Sequence, residues 1–427
     1  MRFVLGALAL MTIGILLSGC QKNALTGDSG TVAPLKNIQS VRLNFRYEPD
    51  VPAPSETGKQ AAAETLNPAI QADFDQSRVQ EVLDATITSP DSKRVLAVYH
   101  QASDQPSEFR LDMYSGDGKV LRRITPDAMA VHFRETIRWA PDSTGVAFVA
   151  MTRAQPMSDG QTSPPAPVID QPQASDANQN AADANSNAAT TPVSTPAAPN
   201  AVLTFRTEQI YMCGADGDNT RALTQNEGLI YFYYVWSPDN TMLAALAATS
   251  REWQIMNDRA DLASEVFLPI GRPRLVERNG RERRLDDGLT SVHPVWSPDS
   301  SKVATAFDTQ VRVYDAGGNP PTQAAIPLRN QLLISSQTYD RQQADKLNAP
   351  NSNIELATNS NSAPQPSTLP DPSTLVSFNP IINLSWPQDD ILYLETAFVK
   401  RMKNEADSAV SFSRWHRLVF TPQPAAK

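Results

Sequence analysis

The sequence predicts an all-β fold, a β-propeller of four-stranded blades. Three observations predict it. A short motif of Trp, Ser, Pro and Asp recurs along the chain, and a hairpin-like motif recurs between its copies. The copies also stand apart by the length of one blade.

The clearest copy of the first motif is VWSPDSSKVATAF (295–307). It returns as IRWAPDSTGVAFVAM (137–151), as VWSPDNTMLAALA (235–247) and, without its Trp, as TITSPDSKRVLAVYH (86–100). A degraded copy is LSWPQDDILYLETAF (384–398). Asp91 and Asp142 are 51 residues apart, and Asp239 and Asp299 are 60 apart. Asp142 and Asp239 are 97 apart, which falls to about 51 without a low-complexity insertion of about 45 residues. Pro suits the second position of a tight turn because its φ is already set, and Asp with Ser or Asn bonds nearby backbone amides. Ala140 replaces Ser297 in one copy, so the Ser and Asp read as turn residues and not as a nucleophile with its helper. The Trp fills space between blades, a burial of about 2–3 kcal/mol. The apolar runs that follow, such as 303–307 and 146–150, are strands buried on both faces, with Ala allowing close approach of neighbouring blades.

The second motif reads FRLDMYSGDGKVLRRIT (109–125), QIYMCGADGDNTRALT (209–224), RLVERNGRERRL (274–285) and VRVYDAGGNPPTQAAIPL (311–328). Strand, Gly-containing turn and strand make a hairpin, so each unit holds four strands. Five blades are countable, at about 80–125, 136–225, 231–286, 292–330 and 380–421. SVRLNFRY (40–47) is expected to complete the last blade and close the ring. Residues 329–378, with the apolar QLLISS (331–336), leave room for a sixth. Two segments, about 155–200 and 346–373, are rich in Ala, Asn, Pro, Ser and Thr and are expected to be disordered insertions.

These motifs, with His293-Pro294-Val295-Trp296-Ser297-Pro298-Asp299 and the run from Ile210-Tyr211 through Ala215-Asp216-Gly217 to Thr224, resemble the propeller repeat of the TolB family. That family is a periplasmic partner of the Tol–Pal system. The resemblance covers most of 82–400 outside the insertions and implies a periplasmic propeller. TolB proteins carry an α/β domain before the propeller. Only about 45 residues are available for it here, between the tether and the first motif.

At the N-terminus, Arg2 precedes an apolar segment, Phe3 to Leu17, that is short for a membrane span and reads as an export signal. Leu17-Ser18-Gly19-Cys20 resembles a bacterial lipobox, which implies acylation of Cys20 and a mature chain beginning there. An ordinary secretory signal with a chance Cys is the alternative. Gln21 matches the sorting rule that the resemblance associates with the outer membrane. The expected organisation is a signal peptide over 1–19, a flexible tether over 20–35 and a propeller over 36–427. The chain has 427 residues, 37 basic and 46 acidic, net −9. Cleavage removes Arg2 and leaves net −10, which argues against nucleic acid as a partner. Cys213 then has no intramolecular disulfide partner and should be buried or free.

Motifs of chemistry are few. No Gly-x-Ser-x-Gly elbow occurs, so a prolyl-peptidase-type hydrolase is not fused here. His100, His132, His293 and His416 lack ligand spacing, and no metal or cofactor is expected. Asp216-Gly217-Asp218-Asn219 reads as a hairpin turn in preference to a calcium loop. Candidate binding residues are the aromatic YFYYVW (231–236) and the basic run Arg272, Arg274, Arg278, Arg281, Arg283 and Arg284. Strict alternation would turn Tyr231, Tyr233 and Val235 one way and Phe232, Tyr234 and Trp236 the other. Packing between blades is the plain alternative for the aromatics, and a solvated outer hairpin for the arginines. The expectation is a lipid-anchored, periplasm-facing scaffold for a cell-envelope protein, without enzymatic activity. A lyase or hydrolase with a site in the funnel and a small-ligand sensor or carrier are the alternatives.

Overall fold

Short apolar strands between tight turns form antiparallel sheets whose two faces are both covered once the sheets stack. The computed structural model describes residues 35–55, 66–105, 107–152, 207–348, 376–401 and 409–422. Strand β1 (Leu43–Glu48) and helix α1 (Pro68–Ser77) come first. Blade 1 is β2 (Glu81–Thr88), β3 (Arg94–Gln101), β4 (Arg110–Ser115) and β5 (Val120–Arg123). In blade 2, β6 (Met129–Ala130) and β7 (Arg138–Trp139) share the inner position beside β8 (Gly145–Thr152), followed by β9 (Gln209–Gly214) and β10 (Arg221–Ala222). Blade 3 is β11 (Leu229–Trp236), β12 (Met242–Thr249), β13 (Arg272–Glu277) and β14 (Glu282–Arg284), with α2 (Ser250–Ala263) between its second and third strands. Blade 4 is β15 (Val295–Trp296), β16 (Lys302–Phe307), β17 (Gln310–Asp315) and β18 (Gln323–Pro327), followed by α3 (Arg329–Asn348).

Blade 5 contains β19 (Val376–Phe378), β20 (Ile381–Gln388), β21 (Ile391–Arg401) and β22 (Ala409–Pro422). Its outermost strand is β1, with Leu43 opposite Pro422 and Glu48 opposite Arg417. The segment 40–47 thus completes the last blade as expected. No sixth blade lies among the described residues, and QLLISS falls inside α3. Leu332, Ser335 and Ser336 are buried while Leu333 and Ile334 are exposed. That is the period of a helix packed on one side, where the apolar run alone could have been a strand. The helix runs on to Asn348, so the start of the expected 346–373 insertion is helical. The rest of it, the 155–200 insertion, and residues 1–34 with the signal, Cys20 and the tether lie outside the described residues.

The Ser-Pro-Asp turns are built alike. Asp91, Asp239 and Asp299 each accept the hydroxyl of the Ser two residues back, at 2.7, 2.6 and 2.7 Å. Each also accepts the amide two residues on, from Lys93, Thr241 and Ser301 at 3.1, 3.1 and 2.9 Å. The residue after the Asp has a left-handed backbone: Ser92, Ser143, Asn240 and Ser300 have φ of 59°, 61°, 63° and 61°. Its side chain reaches the preceding blade. The Asp91 N–H donates to Ser143 Oγ (3.0 Å), Asp142 to Asn240 Oδ1 (3.2 Å) and Asp239 to Ser300 Oγ (3.0 Å). In the degraded fifth copy the Asp389 carboxylate takes this role for the Asp299 backbone.

Above the turns the seams are apolar. Trp139 packs between blades 1 and 2 and donates to Ile87 O at 3.1 Å, and Trp296 repeats this on Val235 O at 3.2 Å. Fully buried Ala147, Ala244 and Ala304 stand where blades approach, as expected. Buried clusters join blades 1 to 2, 2 to 3, 3 to 4 and 4 to 5. The outer face of blade 1 is covered instead by α1, through Ile70 and Phe74 on Leu83, Tyr99 and Tyr114. Among the described residues no buried cluster, hydrogen bond or ion pair joins blade 5 to blade 1. The chain itself bridges them, from β1 to α1.

His416 ties β1 into blade 5. The Asp50 N–H donates to its Nδ1 (3.2 Å), so the ring proton sits on Nε2 and meets Thr396 Oγ1 at 3.0 Å. The Tyr47 hydroxyl lies 2.9 Å from Nδ1. Burial lowers the imidazole pKa to about 4.

Two outcomes are expected. Asp299→Ala removes both turn bonds and should cost about 1–2 kcal/mol, read as a lower urea midpoint. For His416 the unfolded chain binds the proton first, because its pKa is the higher. Stabilisation is therefore complete above about pH 6.5 and falls by roughly 2–3 kcal/mol on the way to pH 4. Urea midpoints from pH 4 to pH 7 should flatten over this window in His416→Gln.

Candidate functional site

Antiparallel pairing sends alternate connections to opposite ends of the blades. One end carries the Ser-Pro-Asp-Ser turns and the short hairpin turns such as 116–119 and 278–281. The other carries α2, α3 and the points where 153–206, 349–375 and 402–408 leave and return. The described chain enters at the turn end. Ser40 N and Oγ donate to Asp315 Oδ1 at 2.9 and 2.7 Å, and Lys302 Nζ donates to Ile38 O at 2.6 Å. Lys302 and Asp315 form a buried ion pair at 3.2 Å.

At the helix end, α2 starts in a capping box in which Thr249 Oγ1 accepts the Glu252 amide and Glu252 accepts the Thr249 amide. Glu252 also takes a two-point contact from Arg272 at 2.8 and 2.8 Å, which lowers its carboxyl to about 2. Trp253 on the inner side of α2 packs on Phe133, Phe232 and Phe267, with ring centroids 5.6, 5.5 and 4.8 Å away. Gly271 makes room for this: a Cβ there would stand 2.7 Å from the Phe232 ring. On the outer side Leu262, Val266 and Leu268 are 87, 92 and 68 % exposed. Leu333 and Ile334 of α3 are exposed at the same end.

The inner strand of blade 3 departs from strict alternation. The pairing of β11 with β12 slips between Tyr231 and Tyr233, a bulge at Phe232. Tyr231 therefore shares a face with Tyr234 and Trp236, toward blade 2, and is fully buried. Its hydroxyl bonds Glu282 Oε1 at 2.7 Å. Tyr233 turns with Phe232 toward blade 4 and stacks on His293, with centroids 3.6 Å apart and planes 11° apart. The expected shared face of Tyr231 and Tyr233 is thus replaced by two opposite ones, because one extra residue reverses every later side chain.

Arg138 is the charged residue on an inner strand of blade 2. It lies on β7 between Ile137 and Trp139, both buried in the seam with blade 1, and is itself exposed. Its charge is felt by Tyr233 and by His293. Burial raises the Tyr233 phenol, and burial with the Arg138 charge lowers His293, so the phenol stays protonated and the imidazole neutral. No hydrogen bond or ion pair engages these three side chains among the described residues. Arg138 and His293 were not among the candidate residues. The available signal was an out-of-pattern charge: the residue before the motif Trp is Val235 or Val295 in the other clear copies.

The hairpin arginines are matched. Arg272 pairs with Glu252, Arg274 with Glu282 at 2.5 Å, Arg281 with Glu277 at 3.7 Å and Arg284 with Asp287 at 2.8 Å. Arg278 lies 4.0 Å from Asp142 and over the Trp236 ring. Arg283 donates to the carbonyls of Asp315 and Ala316 at 2.7 and 3.1 Å. Arg281 and Arg283 do border a groove of about 420 Å³ against the turn of blade 4 at Gly317 and Asn319.

Cys213 is free, buried in the seam of blades 1 and 2, and pushed up to about 12 by burial. His100 pairs with Asp84 at 2.7 Å, and His132 lies 3.3 Å from Glu208 and 3.7 Å from Glu108. Among the described residues no three His, Cys, Asp or Glu side chains are placed to hold a metal ion. Asp216 to Asn219 form the hairpin turn of blade 2, and Asp216 pairs with Arg94 across the seam at 2.6 Å.

The sheets and seams define a propeller-type protein with its elaborations at one end. No family profile matches the sequence, and no curated protein matches it. Among solved structures it is similar to an oligogalacturonate lyase from Vibrio parahaemolyticus, at 10 % identity and TM-score 0.34, over 80 % of this chain and 66 % of that one. It is similar to a TolB candidate from Agrobacterium tumefaciens, at 12 % identity and TM-score 0.28, over 81 % and 91 % of the two chains. Prolyl oligopeptidase B from Galerina marginata matches at 9 % identity and TM-score 0.36, over 86 % and 43 %. This chain thus spans just under two thirds of the lyase and less than half of the peptidase. At such scores the architecture rests on the sheet topology itself.

Trp253→Ala should cost about 2–4 kcal/mol by emptying the centre of the aromatic cluster. Urea unfolding measures the loss, and amide exchange should rise first in residues 250–263.

Proposed function

We propose that the protein is a lipid-anchored scaffold of the cell envelope that docks a protein partner on its helix-bearing end. The observation that carries this reading is the opposition of the two ends. The described chain begins at the turn end, held by Asp315 and Lys302, while Leu262, Val266, Leu268, Leu333 and Ile334 are exposed at the other, outnumbering the exposed Val41, Val120 and Leu121 of the turn end. Exposed large apolar groups at one end of a rigid body suit a partner interface. Cys20 lies 15 residues before Leu35, a reach of at most about 50 Å, so an acylated Cys20 would keep the turn end toward the membrane. No helix among the described residues is long and apolar enough to cross a membrane. The net charge of −9 disfavours nucleic acid as the partner.

One observation favours an enzyme instead. A phenol and an imidazole stack with centroids 3.6 Å apart, with no hydrogen-bond partner among the described residues, and such a pair can serve catalysis. Turnover abolished by His293→Ala with folding intact would move the reading there.

Photo-crosslinkers at positions 262 and 266 should capture one envelope protein, whereas one at 117 on the turn end should not. Leu262→Glu with Val266→Glu should cut that yield about tenfold with the melting temperature unchanged. Equal yields from both ends, or lipid alone, would count against docking. Cys20→Ala should release the protein from the membrane fraction, and unchanged retention would count against the anchor.

A further inference from the structure

We infer that the groove between blades 3 and 4 at the turn end binds an acidic peptide turn of a partner protein. The inference uses none of the residues of the helix end, so either reading can fail without the other.

The first ground is the repeat, which fills the same seat on the other blades. The hairpin turn of blade 2 lies on blade 1. A Cβ on Gly217 would stand 3.2 Å from Ile124 and from Met113, and Asp216 pairs with Arg94 at 2.6 Å. The turn of blade 3 lies on blade 2. A Cβ on Gly280 would stand 3.1 Å from Leu223 O, and Arg221 Nη2 donates to Arg278 O at 2.6 Å. On blade 4 the entering chain takes the place, through Ile38 O and Ser40 on Lys302 and Asp315. On blade 3 the corresponding turn, 316–321, is met only at its base, where Arg283 reaches the carbonyls of Asp315 and Ala316. Its tip stands clear. A Cβ on Gly317 would meet nothing within 4 Å, and one on Gly318 only Pro320 and Pro321 of the same loop. The seat on blade 3 is therefore an open groove of about 420 Å³.

The second ground is the lining. Met242, Leu275 and Ala316 give an apolar floor, with Arg281 and Arg283 on the blade 3 side. Among the described residues Arg281 reaches only Glu277, at 3.7 Å, and its side chain is 79 % exposed. Arg283 donates through Nη2 alone, which leaves its Nε and Nη1 for another acceptor. The two acids of the lining are already engaged. Glu282 is taken by Arg274 and Tyr231 at 2.5 and 2.7 Å, and Glu277 accepts from Asn279 at 2.9 Å. Two guanidinium groups thus keep donors above an apolar floor, in a chain of net −9.

The filled seats show what fits. Backbone approaches closely at a glycine in two of them, and the seat on blade 1 adds a pair between Asp and Arg. A turn with an aspartate beside a glycine, and an apolar residue for Met242 and Leu275, matches both the shape and the charge. A bare anion would leave the floor uncovered, and an apolar peptide would leave both guanidinium groups without an acid.

The experiment titrates the detergent-solubilised full chain with methyl-labelled methionine, the Met242 signal being assigned by Met242→Leu. The probes are acetyl-Leu-Asp-Gly-Asp-amide, its analogue acetyl-Leu-Asn-Gly-Asn-amide and glycerol phosphate, the last standing for a lipid headgroup. The acidic peptide should shift Met242 in a saturable way with Kd of about 1 mM or tighter, and the Asn analogue should bind about tenfold more weakly. Arg281→Glu should weaken the acidic peptide about tenfold at an unchanged melting temperature, because that side chain is exposed. Gly317→Trp places a ring in the open groove and should abolish the shift, which covers the case in which Arg281→Glu disturbs folding. The inference is overturned if the two peptides bind alike, if glycerol phosphate binds better than the acidic peptide, if Arg281→Glu binds as wild type, or if no probe moves Met242. A Met242 signal that ignores the peptides but moves on dilution, or on deletion of residues 22–33, assigns the groove to a second copy or to the chain's own N-terminal segment and overturns it too.

Discussion

At the tip of each blade's first turn, the backbone N–H of an Asp donates to a side chain on the turn of the next blade. Ser143, Asn240 and Ser300 accept it in three copies, and the Asp389 carboxylate accepts it in the fourth. The same Asp uses its carboxylate to close its own turn, so one residue sets both the turn and its spacing to the neighbour. Burial above the turns is non-directional and could not choose a blade register alone. These bonds, with the Trp139 and Trp296 indoles on the carbonyls of the preceding blade, supply the direction. The chain of bonds runs from blade 1 to blade 5 and stops. There β1 completes blade 5 and α1 covers blade 1.

Fixing the turn end leaves the other end free to vary. Helices and long connections gather where no repeated bond is required. The division has a mechanical reason. A residue inserted into a Ser-Pro-Asp turn would break bonds to two blades, whereas one inserted between the second and third strands of a blade disturbs neither seam. The chain's entry at Asp315 adds a further reason for the turn end to stay plain.

Charge is arranged by the same logic. On the outer hairpin, arginines face glutamates and carbonyls one strand or one turn away, and the run is solvated and matched. On the inner strand of blade 2, Arg138 has no ion pair or hydrogen bond of its side chain among the described residues.

The sequence by itself determined the repeat, the strand count of a blade, the five blades and the closing strand at 40–47. Those features are local: a turn that needs Pro and Asp, a strand that needs a continuous apolar run, and a spacing that counts residues. It also pointed to Cys213 as buried or free, since a lipid on Cys20 would leave it without an intramolecular partner. What only the tertiary structure decided concerns partners far apart in the chain. The bulge at Phe232 reversed Tyr233 relative to Tyr231, and period-two reading cannot see an extra residue whose cause lies in the paired strand. QLLISS became a helix because the packing of Leu332 and Ser336 selected one period over another. Tyr233 and His293 stand 60 positions apart in sequence and stack because the bulge turns Tyr233 toward blade 4. Repeats are written along the chain, but the funnel is written across it.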